Sequence, residues 1–149
     1  MKILVDADAC PVKDIIISLG KKANIPVEMV ASLNHRINEE SGVTVIIADT
    51  GPDAADLVIA NRVKAGDIVV TQDYGLAALV LGKQGMALSP RGLIFSKENI
   101  NGLLFQRYIS SKVRRGGGKI KGPAPFTEED RDKFTKSLQK LLKSFIILS

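Results

Sequence analysis

Apolar positions in this chain come in short runs that stop at an acid or a turn residue, and the stretches between the runs carry helical spacing. Lys2 to Val5 is an apolar, β-branched run halted by Asp6, which predicts a strand buried on both faces. Pro11 stands where a first helix should begin, because a missing N–H is harmless at the first helical position. Val12, Ile15, Ile16 and Leu19 then follow at helical spacing until Asn24 and Pro26 end the element. Val27 to Ala31 predicts a second strand, Ser32 to Gly42 a polar loop with room for one helical turn, and Val43 to Ala48 a third strand. Asp49-Thr50-Gly51-Pro52 breaks that run. Asp53 opens a helix in which Ala55, Leu57, Val58, Ala60 and Val63 are expected to face the core, with Gly66 as its cap. Ile68 to Thr71 is a fourth strand and Tyr74 to Leu81 a small apolar helix. Strands alternating with helices in this way predict an α/β fold, a parallel sheet with helices on both faces.

Periodicity is mixed further on, with a strand expected near Leu93 to Phe95 and a helix near Ile100 to Val113. Arg114 to Pro125 holds four glycines, two prolines and four basic residues without an acid, and is expected to be extended. Thr127 makes an N-cap, with Glu128, Glu129 and Asp130 in the first turn where the helix dipole favours carboxylates. Phe134, Leu138, Leu141, Leu142 and Phe145 then form one apolar stripe, which fits docking on the body or on a second copy of it, so a homo-oligomer is one expectation. The chain thus divides into an α/β core over residues 1–111, a basic Gly-rich connector over 112–126 and a C-terminal helix over 127–148, all within a single domain.

Composition narrows the class. A length of 149 residues with 45% hydrophobic and 25% charged side chains suits one globular domain. Residues 1–111 carry 11 basic against 12 acidic side chains, net −1, and residues 112–149 carry 10 against 4, net +6, so an anionic partner is expected at the tail rather than over the whole surface. No apolar run approaches the roughly 18–20 residues of a membrane span. Asp6 and Asp8 interrupt the start before a signal region can form, and Cys10 is the lone cysteine, so a cytoplasmic protein without membrane partners is expected.

In an open parallel sheet, ligands bind beyond the carboxyl ends of the strands, and three of the predicted strands end in acid. The first gives Asp6 and Asp8, the third gives Asp49, Asp53 and Asp56, and the fourth gives Asp73. Crowded carboxylates must take up protons or hold a cation, and a hard divalent ion such as Mg²⁺ or Mn²⁺ suits an all-oxygen site. Taken singly, each aspartate is more simply a helix cap or turn residue; their joint arrival at one edge of the sheet is what points to metal.

Asp6-Ala7-Asp8-Ala9-Cys10-Pro11-Val12, Asn34-His35, Gly51-Pro52-Asp53-Ala54-Ala55-Asp56 and the stretch from Gly66 to Ala77 with Thr71-Gln72-Asp73 resemble the YaiI/YqxD family of uncharacterised bacterial proteins, nearly end to end. That family is grouped with the PIN-like nucleases. The resemblance implies a three-layer α/β/α domain whose acidic cleft binds divalent metal and cuts RNA, with Asp6, Asp56 and Asp73 as catalytic acids and metal ligands. PIN nucleases usually add an acid on an early helix; the nearest candidates here, Glu39 and Glu40, lie in a polar loop, and Asp8 or Asp53 stands in as a further ligand.

Other residues admit two readings. Asn34 and His35 fit a phosphate contact or general base beside the cleft, or merely exposed loop positions. Thr71 and Gln72 fit support of a metal-bound water or phosphate, or ordinary turn roles. Lys112, Arg114, Arg115, Lys119 and Lys121 fit contacts along an RNA backbone, or a solvated connector. Cys10 at a helix start reads as structural, since no phosphatase-like Arg follows. Two alternatives to a ribonuclease remain: a non-catalytic RNA-binding or adaptor module, and a haloacid-dehalogenase-type phosphatase with Asp6 as nucleophile and Asp8 as acid/base. Cys10, where that motif carries Thr or Val, weighs against the phosphatase.

Overall fold

The computed structural model describes residues 1–8, 10–32, 42–49, 51, 54–118 and 124–148, with side chains described as far as residue 144. Within them the chain runs β1 (Ile3–Asp6), α1 (Lys13–Ala23), β2 (Val27–Ser32), β3 (Val43–Ala48), α2 (Ala54–Arg62), β4 (Ile68–Val70), α3 (Tyr74–Gly82), β5 (Met86–Leu88), β6 (Ile94–Phe95), α4 (Lys97–Arg115) and α5 (Glu128–Leu148). The strands form one sheet in the order β3-β2-β1-β4-β5-β6, parallel except for β6, which pairs antiparallel with β5.

Alternation along the central strands builds the three layers. Ile3 and Val5 of β1 and Ile68 and Val70 of β4 point to one face, where Val12 precedes α1, Ile16 and Leu19 lie on α1, and Phe134, Leu138, Leu141 and Leu142 of α5 cover them. Leu4 and Val69 point to the other face, covered by Ile59 of α2, Leu76, Ala77 and Val80 of α3 and Ile100 of α4. The sheet is buried on both sides, as continuous apolar runs demand, and the expected α/β/α architecture is present. The predicted stripe of the last helix docks on the body; the Phe145 side chain lies outside the described residues.

The register of the two central strands is pinned at their amino ends. Asp67, buried just before β4, accepts the Lys2 N–H at 3.1 Å and the Lys64 N–H at 2.8 Å, and Lys2 Nζ lies 3.1 Å from its Oδ2. Ile3 then pairs with Ile68 and Val5 with Val70. At the far side of the domain, Arg131 of α5 binds Asp14 of α1 at 2.7 Å. The tight turn before β6 presses on the same helix: Gly92 has φ +91°, a Cβ there would lie 2.6 Å from the Lys133 carbonyl carbon, and Ser137 Oγ donates to the Gly92 carbonyl at 2.6 Å.

Several sequence expectations are corrected. α1 begins at Lys13 with Val12 as its N-cap, so Pro11 precedes the helix rather than holding its first position. Leu57 is exposed, and Ile59 carries the packing of α2, because an apolar stretch with one acid does not reveal which face turns inward. Gly66 is not a helix cap: α2 ends at Arg62, and Gly66, φ +86°, turns the chain into β4. β5 was not foreseen, since Met-Ala-Leu is too short to signal itself and owes its existence to pairing with β4. α4 runs on to Arg115, so Lys112, Arg114 and Arg115 belong to a helix and not to a connector, where cations in the last turn complement the dipole.

Asp67→Ala removes the carboxylate that satisfies two backbone donors and a lysine, and is expected to lower the unfolding free energy by about 3 kcal/mol in urea titrations. An unchanged midpoint would show that strand pairing alone sets the register.

Candidate active site

The sheet order reverses between β1 and β4, one connection leading to β2 on one side and the other to β5 on the opposite side, and a crevice opens beyond their carboxyl ends. β1 ends in Asp6, and because Val5 pairs with Val70, the next positions, Asp6 and Thr71, lie side by side. The buried Thr71 hydroxyl donates to Asp6 Oδ2 at 3.3 Å, and the Asp73 N–H donates to Thr71 Oγ1 at 3.0 Å. Thr71 therefore joins the two strand ends through one oxygen.

Asp73 is the N-cap of α3, its Oδ1 accepting the Leu76 N–H at 2.8 Å. Arg107 Nη1, from α4, lies 3.7 Å from the same Oδ1. Gly75 leaves room for this approach, since a Cβ there would sit 3.2 Å from Asp73 Oδ1 and 4.0 Å from Arg107 Nη1. Asp8, on the loop after β1, accepts the Ser32 N–H at 2.9 Å and ties that loop to the end of β2.

Burial pushes the Asp6 carboxyl above its ordinary value of 3.8; the Thr71 hydrogen bond offsets part of this, and the charges of Asp8 and then Asp73 raise it further. Burial likewise pushes the Cys10 thiol up to about 11, so it is a structural side chain and not a thiolate nucleophile.

Hydrogen bonds thus link Asp6, Thr71 and Asp73, and the charges of Asp8 and Asp73 act on Asp6. Asp56 lies half-buried in the first turn of α2, which packs over β1 and β2. Asp49 is exposed beyond β3, and Gln72 is exposed on the loop between Thr71 and Asp73. Asp53, Asn34, His35, Lys119 and Lys121, with Glu39 and Glu40, lie outside the described residues. Among the described residues no three His, Cys, Asp or Glu side chains form a group able to hold a metal by themselves. Sequence reasoning missed Arg107; its signal was its place on the face of Ile100, Leu103 and Leu104, which turns a cation toward the body.

A family model described as "Uncharacterized BCR, YaiI/YqxD family" matches residues 4–144. A UPF0178 protein of Bacillus cereus (strain ZK / E33L) is 51% identical over 150 residues, covering 99% of this chain and 100% of its own. A UPF0178 protein of Bacillus thuringiensis subsp. konkukian is 50% identical over 150 residues with the same coverage. Among solved structures, a mutant of Rae1 (YacP) from Bacillus subtilis superposes with a TM-score of 0.45 at 19% identity, over 97% of this chain and 99% of that chain. No helix among the described residues is long and apolar enough to cross a membrane.

The raised Asp6 pKa carries a sign. The folded state holds this proton more tightly than the unfolded chain, so the contribution is full below 3.8 and is lost as pH rises through the higher folded value. Asp6→Asn is therefore expected to melt above the wild type at pH 7 in chelator, the difference closing as pH falls below 3.8, as thermal melts across a pH series would read.

Proposed function

The chain belongs to the YaiI/YqxD family, and within that frame we propose that it is a divalent-metal-dependent ribonuclease, hydrolysing RNA phosphodiester bonds in the crevice between β1 and β4. One observation carries the reading: a half-buried carboxylate, Asp6, faces the charges of Asp8 and Asp73 at the reversal point of a parallel sheet, an arrangement that is costly without a cation. The donor set fits Mg²⁺ or Mn²⁺. The Thr71 and Leu76 hydrogen bonds and the Arg107 ion pair use Asp6 Oδ2 and Asp73 Oδ1, and the second oxygen of each carboxylate is a hard donor. Such ions are commonly held by one or two carboxylates with water and substrate phosphate completing the shell, so a closed group of three protein ligands is not required.

In this reading Asp6 and Asp73 hold the ion, and Asp8 with Asp56 and Asp53 are the further acids that tune its charge. A bound ion supplies positive charge against the phosphate and an activated water for hydrolysis. Thr71 keeps Asp6 oriented through its hydroxyl, and the cap at Asp73 fixes the second carboxylate on the rigid start of α3. Arg107, 3.7 Å from Asp73, is placed to meet a phosphate oxygen and to spread the negative charge that develops on it. Asn34, His35, Gln72 and the cations Lys112, Arg114, Arg115, Lys119 and Lys121 are the RNA contacts of this proposal.

Asp6→Asn and Asp73→Asn are expected to cut Mn²⁺-stimulated cleavage of a homogeneous single-stranded RNA by about 10²–10³-fold. Asn remains an N-cap, so α3 keeps its start in the second variant. Mn²⁺ should raise the melting temperature of the wild type and not of either variant. RNA binding without metal-dependent fragments would favour the non-catalytic module, and turnover of small phosphomonoesters would favour the phosphatase.

A further inference from the structure

α4 packs against α3 only through its first half. Ile100 is buried, and Leu103 and Leu104 pack beside it, with Arg107 continuing that face toward Asp73. From Phe105 to Arg115 no residue is buried, so the helix overhangs the body for nearly three turns. Such an overhang would ordinarily be polar. Here Phe105 is 63% and Tyr108 54% exposed, with Ile109 and Val113 also exposed. Phe105 and Tyr108 are three apart and so neighbours on the helix surface, and Lys112 Nζ stands 5.2 Å from the Tyr108 ring centroid. The same stretch carries Arg107, Lys112, Arg114 and Arg115 and no acid.

We propose that this overhanging half of α4 is a binding surface for single-stranded nucleic acid, with Phe105 and Tyr108 stacking on bases and Lys112 and Arg115, on the same face, contacting phosphates. Charge complementarity selects the occupant. A second copy packed through the same stretch would set four cations against four with no acid in either stretch, whereas a polyanion is attracted by all of them. Exposed rings beside cations engage the faces of unstacked bases, which a duplex hides, so the strand is single. Arg107 joins the surface to the crevice at Asp73, giving the strand a direction toward the acids. The inference deepens the ribonuclease reading by naming its substrate as single-stranded, and it rests on that reading only for what happens at the crevice.

The test is fluorescence anisotropy with a labelled oligouridine of about a dozen nucleotides, in EDTA so that nothing is cut, over a salt series. Wild type is expected to bind the single strand more tightly than a hairpin duplex of equal length. Phe105→Ala and Tyr108→Ala should each weaken binding about tenfold, Tyr108→Phe should restore it, and Lys112→Gln should reduce the salt slope by about 0.7–1. Binding is read in EDTA and cleavage separately with Mn²⁺, so a failure of the crevice chemistry and a failure of this surface are distinguished. All substituted positions on α4 are exposed, and melting curves check that each variant is folded. Wild-type affinity in both alanine variants, no binding by the wild type, or equal binding of duplex would overturn the proposal. So would a fall in sedimenting mass on Phe105→Ala, which would assign the surface to a second copy.

Discussion

The pairing of β1 with β4 is the constraint from which the crevice follows. At one end Asp67 draws the Lys2 and Lys64 N–H groups onto a buried carboxylate, so that Ile3 has no choice but to face Ile68. Three residues later the same register delivers Asp6 beside Thr71, and the Thr71 hydroxyl then serves as donor to one aspartate and acceptor from the backbone of the other. A slip of one residue would invert the alternation that gives each face of the sheet its own apolar cover, so the packing of both helical layers enforces the chemistry of the edge.

Much of this was legible in the residues. The apolar runs ending in Asp6 and before Asp73 mark strand positions, the alternation with helices marks a parallel sheet, and the rule that ligands sit at strand carboxyl ends singles out Asp6, Asp8 and Asp73 along with Asp49, Asp53 and Asp56. What was hidden has physical causes. β5 is Met-Ala-Leu, a sequence with no signal of its own that becomes a strand because β4 offers it hydrogen bonds. In α2 the run Leu57-Val58-Ile59-Ala60 is apolar on every side, so no periodicity tells Ile59 from Leu57. The link from Arg107 to Asp73 joins α4 to the start of α3 and depends on the crossing of the two helices, which spacing along one helix does not encode.

The site also shows two roles held by one side chain. Asp73 is a helix cap by one oxygen and carries a second as a hard donor, so the plain and the chemical readings of a post-strand aspartate are not rivals here. Asp6 differs: its burial among like charges opposes folding at neutral pH, a cost that structural convenience does not explain and that cation binding would relieve.

The two margins of the sheet are unequal. β6 is a strand of two residues running antiparallel, too short to recruit another chain, while β3 spans six residues, Val-Thr-Val-Ile-Ile-Ala, without a charge or proline, and no described strand lies outside it. Ile47 on β3 is exposed. A long uncharged margin of β-branched residues is a template for intermolecular strand addition, so aggregation on partial unfolding would be seeded from the β3 side, and a lysine introduced at Thr44 or Ile47 is the natural gatekeeper against it.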